Sequence, residues 1–169
     1  SVKNSILSFM MQKRIHNIDE FCMNPIKTQK KVFDNLISKG KNTVFGKEHH
    51  FNRITKHSHF KKNIPIRTYE EFSKYIEKAR NGKQNVLWPG KIKWFSKSSG
   101  TTNAQSKFIP ITKESLKECH FKGGKDMLSL YGNNFPFSDM YNGKGLMLGG
   151  TIKQSGNGDY KDGDLSAIL

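Results

Sequence analysis

Ser98-Ser99-Gly100-Thr101-Thr102-Asn103-Ala104-Gln105-Ser106-Lys107 sets four hydroxyl side chains directly around one glycine, adds a fifth at Ser106 and ends on a lysine. Hydroxyls donate hydrogen bonds, and a lysine brings a mobile positive charge. A glycine lets backbone N–H groups turn inward with no Cβ in the way. Together these groups could grip phosphate. The same composition also describes an ordinary loop between strands. The stretch is not a Walker A loop, which needs a second glycine and a Ser or Thr directly after the lysine. Here Phe108 follows Lys107, and GTPase-like and kinase-like readings lose ground. His49, His50, His57 and His59 form a second cluster. No cysteine or suitably spaced carboxylate completes a metal-ligand pattern around them, so they read as solvated loop histidines.

The elements that must hold the hydroxyl loop are short. Ile92–Ser96 reads as a strand leading in, and Phe108–Ile111 as an apolar run leading out. Upstream, Thr68-x-x-Glu71 is a capping box. The helix it opens carries Phe72, Tyr75, Ile76 and Ala79 on one face and ends at Asn81-Gly82. Val86–Gly90 is a short apolar segment closed by a turn. Further upstream, residues 2 to about 22 have helical spacing. Asn24-Pro25 restarts a second helix, which stops at Gly40. Residues 41–67 have little periodicity and read as loop.

Downstream, Thr112 can cap a helix from Lys113 to about Tyr131. Gly123-Gly124 within it suggests a close approach, by a ligand or by another packed backbone. Gly145–Gly150 reads as a buried strand, residues 153–164 as a Gly/Asp/Lys-rich loop, and Asp164–Leu169 as the start of a helix. The expected class is α/β: two lead-in helices, then strands and helices of an incomplete mixed sheet.

The chain has 169 residues, enough for a sizeable core, and a net charge of +15 from 29 basic and 14 acidic residues. That balance favours anionic partners. The lysines are scattered and match no nucleic-acid motif, so a basic nucleic-acid-binding module is the alternative rather than the first reading. Cys22 and Cys119 are far apart and fit free thiols in a reducing cytoplasm. No signal, lipidation motif or membrane span is visible.

The order of pieces is more specific than any one of them. Ile64-Pro65-Ile66-Arg67-Thr68-Tyr69-Glu70-Glu71-Phe72, Tyr75-Ile76, Asn81-Gly82, Trp94-Phe95, the hydroxyl loop with Lys107, Ile109-Pro110, Gly145–Gly150 and Gly163-Asp164-Leu165-Ser166 follow one another. This series resembles the N-terminal part of the auxin-responsive Gretchen Hagen family of acyl-acid amido synthetases, in particular its bacterial members. That family belongs to the acyl-adenylate-forming superfamily, with firefly luciferase and acyl-CoA synthetases.

The resemblance implies a two-step ligase using ATP and Mg²⁺. A carboxylic acid is activated as an acyl-adenylate, and an amine, often an amino acid, then displaces AMP. By position in the motif, Ser98, Ser99, Gly100, Thr101, Thr102 and Lys107 would contact the nucleotide. Thr102, Cys119 and Lys122 are weaker candidates for lining the acyl site. Asn103-Ala104 stand where the family commonly has glycines, which implies a stiffer loop or one that curves differently around the phosphates. The resemblance also implies that residues 1–169 are the N-terminal portion of a large adenylation domain, without the C-terminal domain and inactive alone. A pseudoenzyme keeping only the fold is a further alternative. Which acid, which amine and which oligomeric state are not legible from the sequence.

Overall fold

The computed structural model describes residues 2–98, 106–136, 138, 144–155 and 160–169, with side chains from residue 9 onward. Ser99 to Gln105, the middle of the hydroxyl loop, lie outside the described residues. The chain divides into two compact units. One takes Ser1–Thr28, Lys113–Leu148 and Leu169; the other takes Gln29–Thr112 and Gly149–Ile168.

The first unit is helical. α1 (Val2–Met23) is followed, after Asn24, by α2 (Pro25–Gly40), whose residues from Gln29 onward belong to the second unit. Pro25 has no N–H to lose at a first helical position, and Thr28 N donates to Asn24 O at 3.0 Å. α6 (Lys113–Ser115), a π turn over Leu116–His120 and α7 (Phe121–Asn134) form one longer helix. Arg14 of α1 makes a forked ion pair with Asp126 of α7, with Nη2 donating to Oδ2 at 2.8 Å. The guanidinium holds the Asp126 carboxyl below the usual carboxylate range. Among the described residues no packed backbone comes close to Gly123-Gly124, since a Cβ at either would meet nothing within 4 Å. Gly132 is the tight position: a Cβ there would lie 2.9 Å from the Met11 sulfur.

In the second unit, residues 41–67 are not the loop their composition suggests. They contain α3 (Val44–Glu48), a 3-10 turn at Phe51–Arg53 and α4 (His57–Asn63). Buried Thr43 makes α3 possible. Its hydroxyl donates to Gly40 O at 2.7 Å and accepts from Gly46 N at 2.9 Å. Gly46 must be glycine, because a Cβ would stand 2.0 Å from Gly40 O. His57 and His59 therefore sit on a helix, and His49 is half-buried against Phe45 with ring centroids 4.4 Å apart. Among the described residues no three His, Cys, Asp or Glu side chains converge on a metal position.

α5 (Tyr69–Arg80) begins at the capping box: Thr68 N donates to Glu71 Oε2 at 2.7 Å and Glu71 N to Thr68 Oγ1 at 3.3 Å. Its inner face, Tyr75, Ile76 and Ala79, joins Val86, Ile92 and Phe95 in the core. Burying a Phe or Ile side chain in this way stabilises by about 1.5–3 kcal/mol. The Tyr75 hydroxyl donates to the Glu48 carboxylate, which satisfies the polar end of a buried ring.

The sheet has strand order β2-β1-β4-β3. β1 (Trp94–Lys97) pairs antiparallel with β2 (Phe108–Ile111) and parallel with β4 (Tyr160–Gly163). β4 pairs antiparallel with β3 (Ile152–Ser155), and α8 (Leu165–Ile168) follows. The sheet is mixed and partial, and the class is α/β.

Two sequence expectations fail in this sheet. The 153–164 stretch holds two strands, β3 and β4, because pairing to β1 overrides a composition poor in β-formers. Gly145–Gly150 forms no strand. Leu146, Met147 and Leu148 are almost fully exposed, and the Gly150 and Thr151 N–H groups go to the Ser166 and Asp164 side chains at 2.9 Å each. No helix among the described residues is long and apolar enough to cross a membrane.

Candidate functional site

β1 and β4 run parallel, so their carboxyl ends lie side by side. In open α/β sheets that is where ligands bind. A cavity of about 310 Å³ opens there, lined by Lys97, Ser98 and Ser106 from the β1–β2 side. Thr151, Lys153, Asp162, Gly163 and Asp164 line it from the β3–β4 side. Gly163 lets the strands close: a Cβ would lie 2.1 Å from Thr151 O.

Asp164 Oδ2 accepts from Thr151 N at 2.9 Å, and Asp162 Oδ2 lies 3.9 Å from Arg80 Nη2. Both acids thus have partners, while Lys97 and Lys153 bring two positive charges to the same rim. Two lysines, two aspartates, two serines and a threonine around a modest cavity suit a polar, charged ligand better than an apolar one, and the lysines supply its anion-binding side.

Of the sequence candidates, the structure brings Ser98 and Lys107 together. Ser98 N donates to Lys107 O at 2.9 Å, and Lys107 N to Ser98 Oγ at 3.3 Å. They close the neck of the hydroxyl loop just past the last β1–β2 pair, Lys97 with Phe108. Lys107 Nζ reaches sideways, 3.9 Å from Glu70 Oε1 and 5.3 Å from the Tyr69 ring centroid. The Glu70 carboxyl is held below the usual carboxylate range, first by a hydrogen bond from its own backbone N–H and then by Lys107. Such an exposed pair is weak and readily exchanged. Ser99, Gly100, Thr101 and Thr102 lie outside the described residues. Cys119 and Lys122 belong to the helical unit, where Cys119 is exposed and Lys122 Nζ lies 3.6 Å from Glu118 Oε2.

Sequence reasoning missed Thr151, Asp162 and Asp164, whose surroundings looked like a loop, and also Tyr69 and Arg80. Tyr69, Phe72, Ile76 and Arg80 are spaced three, four and four residues apart, so both polar ends ride on the core face of α5. That spacing was the available signal.

Fold and sequence comparisons meet on this region. The chain superposes on the solved GH3.15 acyl acid amido synthetase with a TM-score of 0.77 at 22% identity, covering 90% of this chain and 27% of that one. The fold is therefore that of one part of an acyl acid amido synthetase. The model of the GH3 family N-terminal domain matches residues 14–159, and the chain belongs to the GH3 family, the Gretchen Hagen family that its motif order resembles.

Among curated relatives, indole-3-acetic acid-amido synthetase GH3.4 of Arabidopsis thaliana is 29% identical over 112 residues, which are 66% of this chain and 19% of the relative. Jasmonoyl–L-amino acid synthetase JAR4 of Nicotiana attenuata is 30% identical over 123 residues, 72% of this chain and 21% of the relative. JAR6 of the same plant is 27% identical over 147 residues, 86% of this chain and 25% of the relative. The matched part of the chain thus spans between 19% and 25% of the length of these curated relatives.

Proposed function

We propose that this chain forms the phosphate-gripping side of an ATP-dependent acyl-acid amido synthetase, as part of that enzyme's large adenylation domain. The observation that carries the reading is the neck at Ser98 and Lys107. It opens the hydroxyl loop beside a lysine-rimmed cavity at the carboxyl ends of β1 and β4. Membership of the GH3 family supports it. The relatives are named for indole-3-acetic acid and jasmonoyl–amino acid products, so a small carboxylic acid and an amino acid are the proposed substrates with ATP. A cytoplasmic setting fits the two free cysteines.

In the proposed reaction an oxygen of the carboxylate attacks the α-phosphorus of ATP and pyrophosphate leaves. The amine nitrogen then attacks the acyl carbon, AMP leaves with the bonding electron pair, and the amine loses a proton. Neither step needs a protein nucleophile. Each needs the phosphates held and their charge offset. Ser98 with Ser99, Gly100, Thr101 and Thr102 would donate hydrogen bonds to phosphate oxygens. Lys107 would exchange Glu70 for the β,γ-phosphates. Thr102, Cys119 and Lys122 remain proposed contacts for the acyl group. Mg²⁺ sites on nucleotides need only one or two protein carboxylates beside the phosphates. In this reading Mg²⁺ arrives as the counter-ion of the nucleotide.

Equilibrium binding of ATP to the 169-residue chain tests the reading. Saturable binding that is lost in Ser99→Ala and in Lys107→Ala is expected. Oligonucleotide binding with a steep salt dependence and no ATP binding would replace it with the nucleic-acid reading. Carboxylate-dependent exchange of pyrophosphate into ATP is expected to be absent, given the share of the relatives' length that the chain spans.

A further inference from the structure

The returning arm of the loop, Lys107 into β2, is gripped by α5. The Ser98–Lys107 backbone pair fixes the antiparallel alternation, so Phe108 and Pro110 turn their backbone groups away from β1. Pro110 has no N–H to leave unpaired there, as suits an edge strand. Phe108 does, and the Tyr69 hydroxyl serves it. The oxygen accepts from Phe108 N at 2.7 Å and lies 3.4 Å from Phe108 O. One hydroxyl thus stands in for a neighbouring strand. Eleven residues along the same helix, the Arg80 guanidinium lies 3.7 Å from the centroid of the Phe108 ring. Its Nη2 reaches the Tyr160 hydroxyl at 3.0 Å and lies 3.9 Å from the Asp162 carboxylate, on the cavity wall. One helix therefore holds the backbone and ring of the first β2 residue and, through Arg80, the opposite strand.

We propose that Tyr69 and Arg80 are positioning residues that fix the returning arm of the hydroxyl loop against the β4 wall of the cavity, and so set its affinity for nucleotide phosphate. Neither residue lines the cavity. This assignment rests on the proposed nucleotide site for its binding consequence and on the contacts at Phe108 for its structural one.

Tyr69→Phe keeps the ring beneath Lys107 and removes only the hydroxyl. Arg80→Lys keeps the charge and removes the planar fork. Thr43→Ala, which uncaps α3 and leaves the cap of α5 intact, is the structural control. Amide hydrogen exchange and ATP affinity are measured on each 169-residue chain.

Tyr69→Phe is expected to speed exchange at the Phe108 N–H and to weaken ATP binding, each by about tenfold, as loss of one net hydrogen bond gives. Arg80→Lys is expected to weaken ATP binding while leaving the Phe108 N–H protected. Thr43→Ala should lower the thermal midpoint and leave ATP affinity unchanged. Wild-type exchange at Phe108 in Tyr69→Phe would overturn the clamp, as would a loss of affinity in Thr43→Ala equal to that in Tyr69→Phe. If the wild-type chain binds no ATP, the nucleotide reading falls and the affinity role with it. Exchange at Phe108 then decides the contact alone.

Discussion

Phe95, on the outgoing arm of the loop, has no exposed surface, whereas Ile109 on the returning arm is half exposed. Among the described residues β1 has a strand on each side and β2 has one. The outgoing arm is therefore fixed by backbone ladders and core packing, which tolerate many sequences. The returning arm depends on particular side chains of α5. A loop that must hold its shape needs both arms fixed, and here the two are fixed by different physics. Changes on the β1 side should register as stability, and changes on the β2 side as loop geometry.

The largest test of that contrast is Phe95→Ala. It removes a fully buried ring that packs against Tyr160 with centroids 5.3 Å apart. A loss of about 3–5 kcal/mol in urea unfolding is expected. A loss below about 1 kcal/mol would mean that the outgoing arm is not held by the core.

A milder test spares both arms. Burial first, and the nearby Arg67 second, push the His49 imidazole below its ordinary value, with Glu48 opposing and His50 adding to the effect. A histidine with a lowered folded value takes up its proton more readily when unfolded. Its contribution is complete above about pH 6.5 and is lost as pH falls below that. The thermal midpoint should therefore drop between pH 7.5 and 5.5 by more in the wild type than in His49→Gln. Equal drops would remove His49 from the account. Protection at Phe108 relative to Phe95 should stay constant across that range.

The smallest expected effect is at Pro110. Its nitrogen faces outward, so Pro110→Ala restores an N–H that no ladder bond needs. A loss of about 0.4–1 kcal/mol is expected, from the looser unfolded chain. A larger loss would show that the ring itself holds the returning arm.

The helices were legible because their signals are local. The Thr68–Glu71 box, the Tyr75-Ile76-Ala79 face and the Asn24-Pro25 restart each lie within a few residues of what they control. β4 was not legible. Tyr160-Lys161-Asp162-Gly163 becomes a strand only because Trp94, Phe95 and Ser96 stand beside it. The apolar run Leu146-Met147-Leu148 misled for the opposite reason: hydrophobic side chains suggested a strand where the chain makes none. At the site, Ser98 and Lys107 could be found from the motif. Asp162 and Asp164 could not, since their half of the cavity is built by pairing distant in sequence. α3 hid because its cap, Thr43, acts through a buried hydroxyl that composition does not reveal.

The parallel pairing of β1 with β4 also sets an order of assembly. The β1–β2 hairpin closes over a short stretch of chain, but β4 reaches β1 only after the chain has passed through the whole of α6 and α7. Closing that longer loop costs more entropy, and pairings between distant segments form slowly. The lysine-rimmed cavity should thus be among the last features completed as the protein folds. A refolding chain would protect its hairpin amides before it could bind an anion, and a nascent chain would gain its site only once Asp164 has been made.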